Sequence, residues 1–135
     1  MSRETRLKTI HAVAGILMRN SRLLVAERPK GKPYSGFWEF PGGKIEQNES
    51  GESALKRELQ EELGIEVMAA SHLFDHTYSY PDKIVHLEIW LVAEFSGEPK
   101  SLENQAIQWL TREEILSLPL LEGNWPVMDK LVSIF

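Results

Sequence analysis

Apolar and polar positions fall into blocks along the chain, and the period of each block changes with the element it predicts. Residues 9–18 (TIHAVAGILM) are β-branched and apolar enough for a buried strand. The polar run Arg19-Asn20-Ser21-Arg22 predicts a turn, and residues 23–26 (LLVA) its hairpin partner. Residues 28–36 (RPKGKPYSG) contain two prolines and two glycines and read as loop. Residues 37–40 predict a short strand that feeds Pro41-Gly42-Gly43, a turn expected to need the backbone angles that glycine tolerates.

The period then lengthens. Leu55, Leu59 and Leu63 recur every fourth residue, which is the core stripe of a helix. Ser50 is the expected N-cap, Glu52 lies in the first turn where the macrodipole favours an acid, and Gly64 is the expected left-handed stop. Beyond it, 65–68 and 73–80 predict strands, 81–83 a turn, 84–95 a long strand and 106–110 a short one. Thr111 with Glu114 has capping-box spacing for a helix running to about residue 117. Asn124 is the expected cap of a last helix, with Pro126 tolerated in its first turn.

Composition narrows the class. A chain of 135 residues without repeat, linker or low-complexity tract is expected to form a single domain over 1–135. The net charge of −5 argues against a nucleic-acid backbone binder, so no direct nucleic-acid partner is expected. The absence of cysteine rules out disulfides and thiolate zinc sites. The opening MSRETRLKTI lacks the apolar core of a signal peptide, and the apolar run 84–95 is interrupted by His86, Glu88 and Glu94 and too short to span a bilayer. No membrane partner and a cytoplasmic location are expected; monomer and homodimer are both open.

The chemistry concentrates in residues 43–65, GKIEQNESGESALKRELQEELGI. Glu58, Glu61 and Glu62 fall within five positions, behind Arg57. Positions three and four apart share a helix face, so the carboxylates are expected to converge beside the leucine stripe. Crowded like charges call for a cation, and hard divalent ions take carboxylate oxygens while keeping waters and phosphates as further ligands. Gly42-Gly43 admits close backbone approach, and the planar fork of Arg57 suits bracing a glutamate. Glutamate-rich helices are more commonly solvated faces, and Glu61-Glu62 alone would be read that way.

The full pattern is more constrained. Gly43, Glu49, Arg57, Glu58, Leu59, Glu61, Glu62, Gly64 and Ile65 fill every fixed place of G-x5-E-x7-R-E-U-x-E-E-x-G-U, where U is a bulky aliphatic. In this the chain resembles the Nudix family. The resemblance implies an α/β fold, an α/β/α sandwich with a mixed β-sheet, and Mg²⁺- or Mn²⁺-dependent hydrolysis of a nucleoside diphosphate linked to another moiety. On that likeness Glu58, Glu61 and Glu62 are metal ligands, one of them the candidate base; Arg57 completes the catalytic set and the Gly42 carbonyl is a further ligand.

The likeness to MutT-type members runs from residue 12 to 131, through FWEFPGGKIE, YSYPDKIVHLEIWLV and NWPVMDKL. It implies a nucleoside triphosphate substrate, 8-oxo-dGTP, cleaved to monophosphate and pyrophosphate so that oxidised nucleotide leaves the pool. Carried over by position, Arg28 would contact phosphate, and Glu39, Phe40, Pro41 and Gly42 would line the nucleotide site. Glu103 would add a carboxylate near the metals, and Asn124 would read the base. An amide can donate to O6 and accept from the N7–H that oxidation creates, whereas ordinary guanine sets a lone pair against the amide oxygen. The bland alternatives stay open: Asn124 as an N-cap, Glu103 as a solvated acid, Arg28 as a surface charge. The segments GFWEF, RELQEELGIE and ENQAIQW equally resemble CTP or dCTP pyrophosphohydrolases, and a non-catalytic nucleotide-binding module is a third reading. His11, His72, His76 and His86 show no shared metal spacing and read as structural or surface groups; the four tryptophans read as core.

Overall fold

The computed structural model describes residues 7–121 and 124–132. Strand β1 (Lys8–Arg19) turns at Asn20 and Ser21, both left-handed with φ of 53° and 63°, into β2 (Arg22–Glu27). Two consecutive left-handed residues make the tight turn whose twist matches antiparallel strands. Then follow β3 (Trp38–Glu39), β4 (Gly42–Lys44), α1 (Gly51–Leu63), β5 (Glu66–Tyr80), β6 (Lys83–Ser96), β7 (Ile107–Leu110), α2 (Arg112–Leu116) and α3 (Trp125–Val132). The strand order is β3-β2-β1-β6-β5, with β4 also on β1 and β7 also on β2. β1 and β6 run parallel over ten paired positions from Lys8↔Lys83 to Leu17↔Val92, while the other pairs are antiparallel.

Alternation along the strands separates two cores. Val13, Leu17, Leu24 and Val92 pack against Ala54, Leu55, Leu59 and Leu63 of α1. Ala14, Ile16, Leu23, Val25 and Ile89 face the other way, against Ile115 of α2 and Val127, Met128 and Leu131 of α3. The mixed sheet therefore lies between helical layers, the sandwich expected from sequence. Gly15 lies under α1, where an added β-carbon would come 3.1–3.3 Å from Leu59, Leu55 and Val92. Among the described residues no helix is long and apolar enough to cross a membrane.

Four expectations need correction. Gly42 and Gly43 do not form a turn with glycine-only angles; they are strand residues of β4, paired with Ala14 and Val13. Glycine is needed there for space. A β-carbon on Gly42 would lie 1.9 Å from the Val13 carbonyl oxygen, and one on Gly43 would lie 2.2 Å from the Glu58 carboxyl carbon. The strand expected over 37–40 shrinks to Trp38–Glu39. The strands expected over 65–68 and 73–80 are one strand, β5, bent by register shifts between Val67 and Phe74 that hide its alternation. Asn124 does not serve as the expected cap: its side-chain oxygen instead accepts from the backbone N–H of Phe40 at 3.2 Å.

Candidate active site

The central helix is held at both ends as its sequence predicts. The Ser50 hydroxyl accepts from Ser53 N–H, and Gly64 closes the helix at φ 70° with its N–H donating to the Gln60 carbonyl (3.0 Å). The loop after β6 then satisfies carbonyls at the helix C-terminus. Lys100 N–H reaches the Leu63 carbonyl at 2.9 Å, while the Glu62 carbonyl accepts from Leu102 N–H (3.1 Å) and the buried Gln105 amide (3.1 Å). Gln105 also accepts from Glu103 N–H at 2.8 Å, which places Glu103 beside the helix.

A cleft of about 610 Å³ results, lined by Glu39, Glu58, Glu62 and Glu103 together with Arg28, Lys32, Lys44 and Gly42. Glu62 is its most perturbed group. Burial, then the charges of Glu58, Glu103 and Glu39, push its carboxyl up to about 9. Burial also raises Glu58, against the pull of Arg57. Two carboxyls sharing one site cannot both ionise cheaply. Oε2 of Glu62 is buried without a hydrogen-bond partner. An orphaned carboxylate oxygen ringed by negative charge is what a hard cation would satisfy, and the donors present are all oxygens. Among the described residues no three acidic or histidine groups are yet drawn together as a formed metal centre.

The three box glutamates do not share one cluster. At about 100° per residue, Glu62 stands roughly 40° to one side of Glu58 and Glu61 about 60° to the other. Glu61 is half exposed, does not line the cleft, and faces Arg57 at 3.4 Å.

Arg57 organises the wall behind. Nε and Nη2 donate to both oxygens of Glu49 (2.8 and 2.9 Å), Nη1 donates to Glu58 (3.0 Å), and Nη2 also reaches the Lys44 carbonyl at 2.9 Å. One fork therefore fixes the loop between β4 and α1 and orients Glu58. The Arg57 bonds, aided by the Glu46 N–H, hold the Glu49 carboxyl down at about 2. Glu49 belongs to the sequence pattern, yet no site role was assigned to it. The signal was an arginine facing a helix of acids, which needs a bidentate partner from outside the helix.

A second concavity of about 190 Å³ adjoins the cleft, and Arg28, Glu39, Gly42 and Lys44 line both. Its walls are Ala12, Ala14, Phe40, Val85 and Leu87, with Tyr34, Tyr78 and Tyr80 and the amide of Asn124. Benzene enters an apolar cavity of about 150 Å³, so this one is on the scale of a flat heterocycle. The segment before α3 reaches it by pairing with β3: Trp38 N–H donates to the Pro119 carbonyl (2.8 Å), and Leu121 N–H to that of Trp38 (3.0 Å). Arg28 spans the two sites, with Nη1 on Glu39 (3.1 Å) and Nε on the Pro33 carbonyl (2.7 Å). Pro41 does not line either concavity; its carbonyl accepts from Gly15 N–H at 2.8 Å. The tyrosines, His76 and Lys83 were missed as lining residues. Their signal was the two-residue spacing of 76, 78, 80 and of 83, 85, 87, which puts each set on one sheet face.

The chain is similar to known proteins along most of its length. The chain is 38% identical over 128 residues to the CTP pyrophosphohydrolase of Escherichia coli K12, covering 95% of each chain. It is 34% identical over 126 residues to the 8-oxo-dGTP diphosphatase of the same organism, covering 93% of this chain and 98% of that one. A MutT NUDIX hydrolase from Burkholderia pseudomallei superposes with a TM-score of 0.83 at 28% identity, over 92% of this chain and 98% of that one. The model of the NUDIX domain family matches residues 9–131, and with that span and those identities the chain belongs to the NUDIX domain family.

Proposed function

We propose that the protein is a divalent-metal-dependent nucleoside triphosphate pyrophosphohydrolase whose preferred substrate is 8-oxo-dGTP. The observation that carries the choice of base is the Asn124 side chain. It is 7% exposed, lines the apolar cavity and is oriented by Phe40. A backbone N–H can only donate, so the atom facing it is the amide oxygen. That leaves the NH₂ group and the second lone pair of the oxygen for a ligand, one donor and one acceptor. The pair matches O6 and the N7–H of 8-oxoguanine, and mismatches the N7 lone pair of guanine. Bidentate readout of this kind is worth about 1–3 kcal/mol.

The phosphates belong in the adjoining cleft, where Arg28, Lys32 and Lys44 offer positive charge. Glu58, Glu62, Glu103 and the Gly42 carbonyl would hold the metal, with Glu61 an outer carboxylate; Mg²⁺ fits this oxygen-only set, and Mn²⁺ is the alternative. A divalent ion there neutralises phosphate charge and acidifies water. The chain itself orients Glu58 through Arg57, keeps Glu62 in a buried position, and places a carboxylate able to take the proton of the attacking water. Such a substrate puts the protein with the nucleotide pool of the cytoplasm.

A second reading is favoured by the 38% identity to a CTP pyrophosphohydrolase over nearly the whole chain. A panel of 8-oxo-dGTP, dGTP, CTP, dCTP and ADP-ribose, with product analysis, separates the two. Pyrophosphate and monophosphate from 8-oxo-dGTP, abolished by chelation and restored by Mg²⁺ or Mn²⁺, are expected. Faster turnover of CTP would favour the alternative, and release of orthophosphate would overturn both.

A further inference from the structure

The loop over residues 28–36 supplies one wall of the cavity, and Tyr34 is its aromatic element. Tyr34 has φ 61°, the left-handed region in which a β-carbon crowds its own backbone. Glycine or asparagine would sit there at less cost, so an aromatic residue persists only where its surroundings hold it. They do. The Tyr34 ring lies 5.8 Å from that of Tyr80 and meets Phe37 edge-on at 6.4 Å. The Lys83 ammonium lies 5.6 Å from the ring centres of both Tyr34 and Tyr80. Tyr80 and Lys83 are the last paired residues of the β5–β6 hairpin, so the loop is docked on the hairpin tip.

The base of the loop is tied with equal definition. Arg28 N–H donates to the Phe37 carbonyl (2.8 Å), Gly36 N–H to that of Arg28 (3.0 Å), and Phe37 N–H to that of Tyr34 (3.1 Å). The Arg28 guanidinium holds Pro33, the residue before Tyr34. Tyr34 nonetheless stays over one-third exposed while lining the cavity, so it is within reach of a ligand there.

Building on the reading of the cavity as a base site, we propose that Tyr34 is a specificity-determining residue whose ring stacks on the nucleobase, and that Arg28 positions it through the Pro33 carbonyl. Stacking recognises a π-face and ignores the hydrogen-bonding edge. Tyr34 therefore supplies affinity and a preference for two-ring over one-ring bases, while Asn124 discriminates at C8. The two roles separate experimentally.

The test is steady-state kinetics of Tyr34→Ala and Tyr34→Phe on 8-oxo-dGTP, dGTP and CTP. Tyr34→Ala is expected to raise KM about tenfold for the purine nucleotides and about threefold for CTP, with kcat changed less than about threefold. The 8-oxo-dGTP to dGTP ratio is expected to hold, and Tyr34→Phe to behave as wild type. A KM within about twofold of wild type in the alanine variant, or equal losses of kcat on every nucleotide, overturns the assignment. If Tyr34→Ala melts early, Tyr34→Leu keeps bulk without the π-face, and product monophosphate titrated into it must bind about tenfold more weakly or the proposal fails. Wild-type protein inert towards all three nucleotides would instead sink the parent reading, and this assignment with it.

Discussion

The acidic cleft and the cavity beside it share Arg28, Glu39, Gly42 and Lys44, yet they solve opposite problems. In the cleft, carboxylates crowd until Glu62 retains a proton to about pH 9, so the region is unfavourable as it stands and gains when positive charge arrives. In the cavity, apolar walls and aromatic contacts surround a single amide whose oxygen is oriented by Phe40. One region stores electrostatic strain for chemistry on phosphates, which every nucleotide carries. The other is an apolar pocket suited to distinguishing one base from another. Reaction and selection are thus held by different residues, and substitutions should separate them.

The largest effect is expected in the cleft. Glu62→Gln removes the ionisable group while keeping its shape, and kcat should fall by about a thousandfold or more with little change in KM, as for loss of a transition-state contact. Thermal denaturation near pH 7 should show a fold at least as stable, because glutamine, unlike the buried carboxyl, needs no proton uptake on folding. Retained turnover would remove the cleft from the chemistry.

In the cavity, Asn124→Ala should cut kcat/KM for 8-oxo-dGTP about 10- to 100-fold more than for dGTP. An unchanged ratio would show that the amide does not read the base. Arg57→Lys keeps the charge but loses the fork that holds Glu49, Glu58 and Lys44 together. A fall in kcat of about 10- to 100-fold, the same on every nucleotide, is expected; a substrate-dependent loss would mean that the two regions are not separable.

The smallest effect is one of pH. Burial, and then the charge of Lys130, lower the pKa of His76, a lining residue of the cavity whose Nε2 has no hydrogen-bond partner. The folded state therefore takes up a proton less readily than the unfolded chain, and stability declines as pH falls through the ordinary histidine value of 6.5. Tm should drop by a few degrees between about pH 7.5 and 5.5, and His76→Gln should flatten that slope. An unchanged slope would place the titrating group elsewhere.

The cleft was far easier to read than the cavity, and the reason is local geometry. Ser50, the leucine stripe and Gly64 set α1, and the helix repeat then dictates which glutamates turn towards β4. Glu61 lies about 100° round the helix from Glu62, on the Arg57 side.

What the chain determined alone was the helix with its caps, the Arg57–Glu49 and glycine spacing, and the alternation that makes two cores. These are short-range consequences of backbone period and side-chain type. Tertiary structure alone decided why Gly42 and Gly43 must lack a β-carbon, since the atoms that would clash belong to β1 and α1. It also decided that Asn124 faces Phe40, 84 positions away, instead of capping its own helix. Pairing across such distances depends on how the segment before α3 docks beside β3, and no local periodicity records that docking.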